Sequence, residues 1–200
     1  MRLRRPLLIA PLLAACSVLP DRPYVETRRF PLEPRREGPP RRGPARRTLL
    51  LRTLRAGAGM ETRRLRTIRP DGTEVLDFYA EWAAPPAEAA EQALRRWLID
   101  SRLFAAILAP GSRLAPDLVL EGEITRLAAL QGEGAARAEL ALVLVDERNG
   151  SRLLGQMVAS GAAPLASGTA APSAEEAAQA MVAALGQALR SLEEALARFA

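Results

Sequence analysis

Ala138-Glu139-Leu140-Ala141-Leu142-Val143-Leu144-Val145 decides the fold class. Successive side chains of an extended strand point to opposite faces. Ala138, Leu140, Leu142 and Leu144 therefore line one face, and Ala141, Val143 and Val145 the other. Both faces are apolar. That is the pattern of a central strand covered on both sides, or of one covered by helices on one side and by a partner on the other. Just upstream, Leu118, Leu120, Gly122 and Ile124 alternate with Val119, Glu121, Glu123 and Thr125, giving a second strand. Just downstream, Asn149-Gly150 is a hairpin turn leading into a third strand over 153–160.

Outward from these strands the pattern stays that of mixed α/β structure. Residues 49–54 read as a short strand and 62–68 as an arginine-rich edge strand. Arg69-Pro70-Asp71-Gly72 is a turn, because proline fixes φ and glycine accepts a left-handed geometry. In the strand that follows, Leu76, Phe78, Ala80 and Trp82 face one side and Asp77, Tyr79 and Glu81 the other. Pro85-Pro86 opens a helix with the stripe Ala90, Leu94, Trp97, Leu98 and an i,i+4 Glu91–Arg95 pair, ending near Ser101. Residues 104–108 supply a short strand. Residues 161–172 read as a small-residue loop, after which Ser173 and Glu176 form a capping box. The last helix, 174–199, carries Met181, Val182, Leu185, Leu189, Leu192, Leu196 and Phe199. At 1.5 Å per residue it spans about 40 Å, so its final turns are expected to project toward a partner. The expected fold is one α/β (α+β) domain over 48–200, with a mixed, largely antiparallel sheet packed by two main helices.

A different composition precedes the domain. Arg2, Arg4 and Arg5 lead into an apolar run, and Leu13-Ala14-Ala15-Cys16 looks like a bacterial lipobox. Residues 1–15 then form a lipoprotein signal peptide, cleaved between Ala15 and Cys16, and the Cys16 thiol is acylated. A thiol suits that chemistry because it is far more nucleophilic near neutral pH than a hydroxyl. The run is too short to span a bilayer, so the chain is anchored rather than inserted. Residues 16–47 are rich in proline and arginine and are expected to be an extended, disordered tether. Residues 1–69 hold 18 Arg and 5 acids, whereas 70–200 hold 10 Arg and 18 acids. The basic arm either adsorbs to anionic lipid headgroups or is a plain tether. It lacks the interleaved aromatics of a nucleic-acid binder.

No catalytic residues, metal ligands or cofactor site are expected. The chain has no histidine, and its one cysteine is taken up by acylation, so nucleophilic triads and His/Cys metal sites are excluded. Glu121 and Glu123 share a strand face, at a spacing that would permit an acid/base pair, but alternating glutamates are common on solvated faces. The chain reads as a non-enzyme.

Three stretches carry a family resemblance: Gly59-Met60-Glu61-Thr62-Arg63-Arg64, Tyr79-Ala80-Glu81-Trp82-Ala83-Ala84-Pro85-Pro86, and Leu98-Ile99-Asp100-Ser101-Arg102-Leu103-Phe104. With Leu118–Gly122, the Ala-Leu-Val-Leu-Val-Asp strand and the terminal helix, they resemble the ABC-type transport auxiliary lipoproteins, the PqiC-like family. The resemblance implies a component of an envelope lipid-transport system, beside an ABC permease and ATPase and an MCE-domain protein. It would sit at the outer membrane facing the periplasm, with Ser17 after the cysteine favouring that membrane over the inner one. Trp82 is either core or, with Tyr79, a partner surface. A structural envelope lipoprotein, a lipid-binding module and a homo-oligomer remain open at this level.

Overall fold

A computed structural model describes residues 24–43 and 45–200; the leader, Ala15 and Cys16 lie outside the described residues. The sheet is organised around β7 (Leu118–Leu130), a strand of 13 residues. On one side β7 pairs antiparallel with β8 (Ala135–Asp146) along its whole length, and β8 pairs antiparallel with β9 (Arg152–Pro164). On the other side, three short strands share β7 end to end, all parallel to it. These are β2 (Thr48–Leu51) at Leu118–Leu120, β3 (Arg55–Ala56) at Glu123–Ile124 and β4 (Arg64–Ile68) at Ala129–Leu130. Beyond them, β6 (Ala106–Leu108) adds parallel to β2, and β5 (Glu74–Trp82) adds antiparallel to β4. The ninth strand, β1 (Arg28–Phe30), lies parallel to β5. The mixed sheet and two helices expected from sequence are present.

Both helices close one face of this sheet. Proline at the start of α1 (Pro86–Ser101) costs no hydrogen bond, because the first-turn N–H groups have no partner within the helix. Its stripe Ala90, Leu94, Trp97 and Leu98 is buried, and Glu91 pairs with Arg95 at 3.3 Å. Helix α2 (Ala174–Leu196) packs on β9, β8 and β7. The Ser173 hydroxyl accepts the Glu176 N–H, but the Glu176 carboxylate turns away from the cap and accepts the Ser167 N–H at 2.6 Å. The helix end thereby fastens the preceding loop instead of completing a reciprocal box. One core joins Leu118, Leu120 and Ile124 of β7, Leu140, Leu142 and Leu144 of β8, and the helix stripes.

Several expectations require correction. Strand β4 is not an edge: it lies between β5 and β7, with Leu65 buried and Arg66 binding the Gly59 carbonyl and Glu74. Strand β9 continues through Pro164, so residues 161–164 are sheet rather than loop. The end of α2 does not project, since Leu192 and Leu196 are buried and a 3-10 turn, Ala197–Phe199, finishes it. The arm is not a free tether over residues 28–41. Its β1 segment joins the sheet, Leu32 is 3% exposed, and the Arg41 N–H donates to the Ser101 carbonyl at 2.8 Å.

Candidate interaction surface

The helices leave the opposite face of β7–β8–β9 uncovered among the described residues. Register fixes what that face displays. Glu121 lies opposite Val143 and Glu123 opposite Ala141 across β7 and β8. Gln156 and Val158 continue the same two rows on β9. The core rows, by contrast, run through Leu142 and Leu144. The face is thus apolar in its middle, with Val158 68% exposed, and ionic toward β2 and β3. Arg52 pairs with Glu121 at 3.1 Å and Arg55 with Glu123 at 3.9 Å on that side, and Arg126 of β7 pairs with Glu139 of β8 at 3.6 Å farther along. A shallow groove of about 370 Å³ runs across it, lined by Arg55, Glu123, Ala141, Val143, Gln156 and Val158. Each carboxylate of the Glu121/Glu123 row faces a guanidinium. The arrangement suits an apolar strip framed by opposite charges, the composition of a docking face.

The two residues considered as a partner surface are placed differently. Trp82 is 1% exposed and belongs to the core, so it presents nothing to a partner. Tyr79 is 45% exposed and stacks edge-on against Phe78, ring centroids 4.9 Å apart. Phe78, expected on the core side with Ala80 and Trp82, is 66% exposed. The cause is an irregular register. Between the pairs Arg66↔Leu76 and Arg64↔Glu81, β4 supplies only Leu65 while β5 supplies Asp77, Phe78, Tyr79 and Ala80. Such a bulge re-aims side chains. The Asp77 carboxylate holds it by accepting the Tyr79 N–H at 2.8 Å. Sequence alternation gave no sign of the bulge.

Two ionic clusters position these faces. Asp117, buried at the start of β7, accepts the Thr48 N–H at 2.7 Å and the Thr48 hydroxyl at 3.0 Å, and pairs with Arg148. The Thr48 backbone bond, above all, holds its carboxyl below the usual carboxylate range. This ties β2 to the β8–β9 turn and so fixes the rim of the open face. The second cluster joins the arm to the helices: Glu193 accepts two bonds from Arg36 and one from Trp97 Nε1. No pattern in the sequence pairs residues so far apart. Among the described residues, no three His, Cys, Asp or Glu side chains cluster as a metal site, and no helix is long and apolar enough to cross a membrane.

Comparison with known proteins bears on the fold alone. No family model matches the chain, and no curated protein matches it. Among solved structures, one described only as an uncharacterized protein matches with TM-score 0.58 and 16% identity, over 76% of this chain and 91% of that one. Protein XCC0632 from Xanthomonas campestris, described with the family DUF330, matches with TM-score 0.63 and 21% identity, over 86% of this chain and 90% of that one. The chain therefore has the fold of a DUF330 structure.

Proposed function

We propose that this chain is a lipid-anchored, non-catalytic auxiliary component of an ABC/MCE-type envelope lipid-transport system. Acylated Cys16 holds it to the outer membrane, on the periplasmic side, and the domain docks an MCE-domain partner through the uncovered face of β7–β8–β9. The observation that carries the reading is that face. Val143 and Val158 sit on a sheet whose other side already holds the core, so apolar side chains are displayed where no element of the described chain covers them. Exposed apolar patches rimmed by charge mark interaction sites. The lipobox and the family resemblance in sequence supply the anchor and the class of partner.

The test is site-specific photo-crosslinking in cells from position 158 of the lipidated protein, with mass spectrometry of the captured partner. Capture of an MCE-domain protein supports the proposal. Capture solely of an unrelated outer-membrane or cell-wall assembly overturns it in favour of a structural lipoprotein.

A further inference from the structure

A second exposed face lies where the chain enters the sheet. Strand β1 runs parallel to β5 with Arg28 opposite Ala80. Residues 24–27 therefore arrive from the side of the bulge that displays Phe78 and Tyr79. Four large apolar or aromatic side chains are exposed at this end: Tyr24 at 88%, Val25 at 48%, Phe78 at 66% and Tyr79 at 45%. Arginines accompany them. The Arg64 guanidinium lies 5.0 Å from the centre of the Phe78 ring and the Arg28 guanidinium 5.6 Å from that of Phe30, and among the described residues neither arginine pairs with a carboxylate. Arg29 and Arg63 share Glu81. The remaining acids nearby are Glu26, which is exposed, and Asp77, which is engaged with the Tyr79 N–H.

The length of chain outside the sheet limits how far this face can stand from the anchor. Had the arm been free to Arg47, 31 residues would separate it from Cys16, a reach of about 105 Å when fully extended. Because β1 is fastened to β5, only 12 residues separate Cys16 from Arg28, a reach of at most about 40 Å. The chain thus keeps the start of β1, and with it the bulge end of β5, within about 40 Å of the anchor. Tyrosine and phenylalanine with arginine beside them match the headgroup level, where rings meet the acyl boundary and guanidinium meets phosphate.

We infer that Phe78 and Tyr79, displayed by the β5 bulge with Arg64 over the Phe78 ring, are an interfacial foot that seats the domain on the phospholipid surface carrying its own anchor. The inference rests on acylation at Cys16. The foot fixes the orientation of the domain relative to the membrane and leaves the β7–β8–β9 face free.

The test uses the full lipidated protein in vesicles of phosphatidylethanolamine and phosphatidylglycerol. An environment-sensitive fluorophore is attached at Tyr79→Cys and, in a separate protein, at Gln156→Cys on the other face. The expected result is a blue-shifted position-79 probe quenched by brominated lipid and shielded from iodide, with the position-156 probe in water. A position-79 probe quenched by iodide as strongly as the position-156 probe overturns the foot. Mass spectrometry of the Cys16 peptide separates the two levels. With Cys16 acylated and the probe in water, the foot alone fails; with Cys16 unmodified, the anchor fails and the foot with it.

Discussion

Arg36 and Glu193, 157 residues apart in sequence, meet in a two-pronged ion pair at 2.8 Å on each prong. The same carboxylate accepts the Trp97 Nε1 proton at 2.7 Å. Arm, α1 and α2 are therefore clamped at one acidic group. The forked geometry of arginine makes such pairs stronger than ordinary surface bridges, and the Arg36 and Glu193 side chains are only 10% and 20% exposed. What reads in sequence as a tether is, over this stretch, part of the fold.

Removing that group should release the arm. Glu193→Ala leaves Arg36 and the buried Trp97 indole without their acceptor, at a cost of about 2 kcal/mol. Urea unfolding should show that loss. Trypsin should cut after Arg35 and Arg36 faster than in the parent protein, with no comparable acceleration after Arg126 or Arg137 within the sheet. Equal acceleration at all four sites would mean global loosening rather than an undocked arm.

Stability should fall in acid. Burial pushes the Glu193 carboxyl up, but the bonds from Arg36 and Trp97 together outweigh it and hold the group below its ordinary range. Asp117 is lowered first by the Thr48 N–H, and Glu176 first by the Ser167 N–H. A carboxylate whose folded pKa is depressed stabilises fully above its unfolded value, and that stabilisation is lost as pH falls through the folded one. Unfolding free energy should be flat from pH 7 to about 5 and drop below about pH 4. Glu193→Gln should reduce the slope of that drop; an unchanged slope would remove Glu193 from the account.

Gly161 should tolerate no side chain. A Cβ there would stand 2.1 Å from the Ala184 carbonyl and 2.5 Å from the Ala188 nitrogen, both backbone atoms of α2. Gly161→Ala should cost about 1–3 kcal/mol by overpacking, and Gly161→Val more. A calorimetric midpoint unchanged in Gly161→Ala would show that the helix can move away from β9.

These residues also show where sequence reading works and where it stops. The β7 and β8 strands, the Asn149-Gly150 turn and the α1 stripe were legible because period and turn chemistry are local. The open face was half legible: two-sided apolar alternation at Ala141, Val143 and Val145 left only a second cover or a partner. Gly161 was misleading, because small residues that admit a helix backbone look like the small residues of a loop. The bulge at Asp77–Ala80, the Arg36–Glu193 clamp and the internal position of β4 depend on partners distant in the chain. Local pattern carries no record of such pairings.

The open face should be separable from stability. Val158 and Gln156 are exposed on β9, so Val158→Glu with Gln156→Glu should change unfolding free energy by about 0.5 kcal/mol or less. Added charge at the centre of the strip should nonetheless abolish capture of the partner crosslinked from the neighbouring Val143 position. Retained capture at normal abundance would move the docking site elsewhere.

Trp82 and Tyr79 lie three residues apart on one strand and should respond oppositely. Trp82 is fully enclosed, and truncating a buried tryptophan to alanine removes its transfer free energy and leaves a cavity, about 3–5 kcal/mol in all. Tyr79 rests on Phe78 at the surface, so Tyr79→Ala forfeits about 1 kcal/mol of ring contact. The protein has only two tryptophans, Trp82 and Trp97, and both are buried. In the Tyr79→Ala protein their emission should therefore keep a buried maximum until a denaturation midpoint close to the parent's. In Trp82→Ala the midpoint, followed through Trp97, should shift by several times as much. Near-equal shifts would mean that the bulge is part of the core's cooperative unit and not a surface device held out from it.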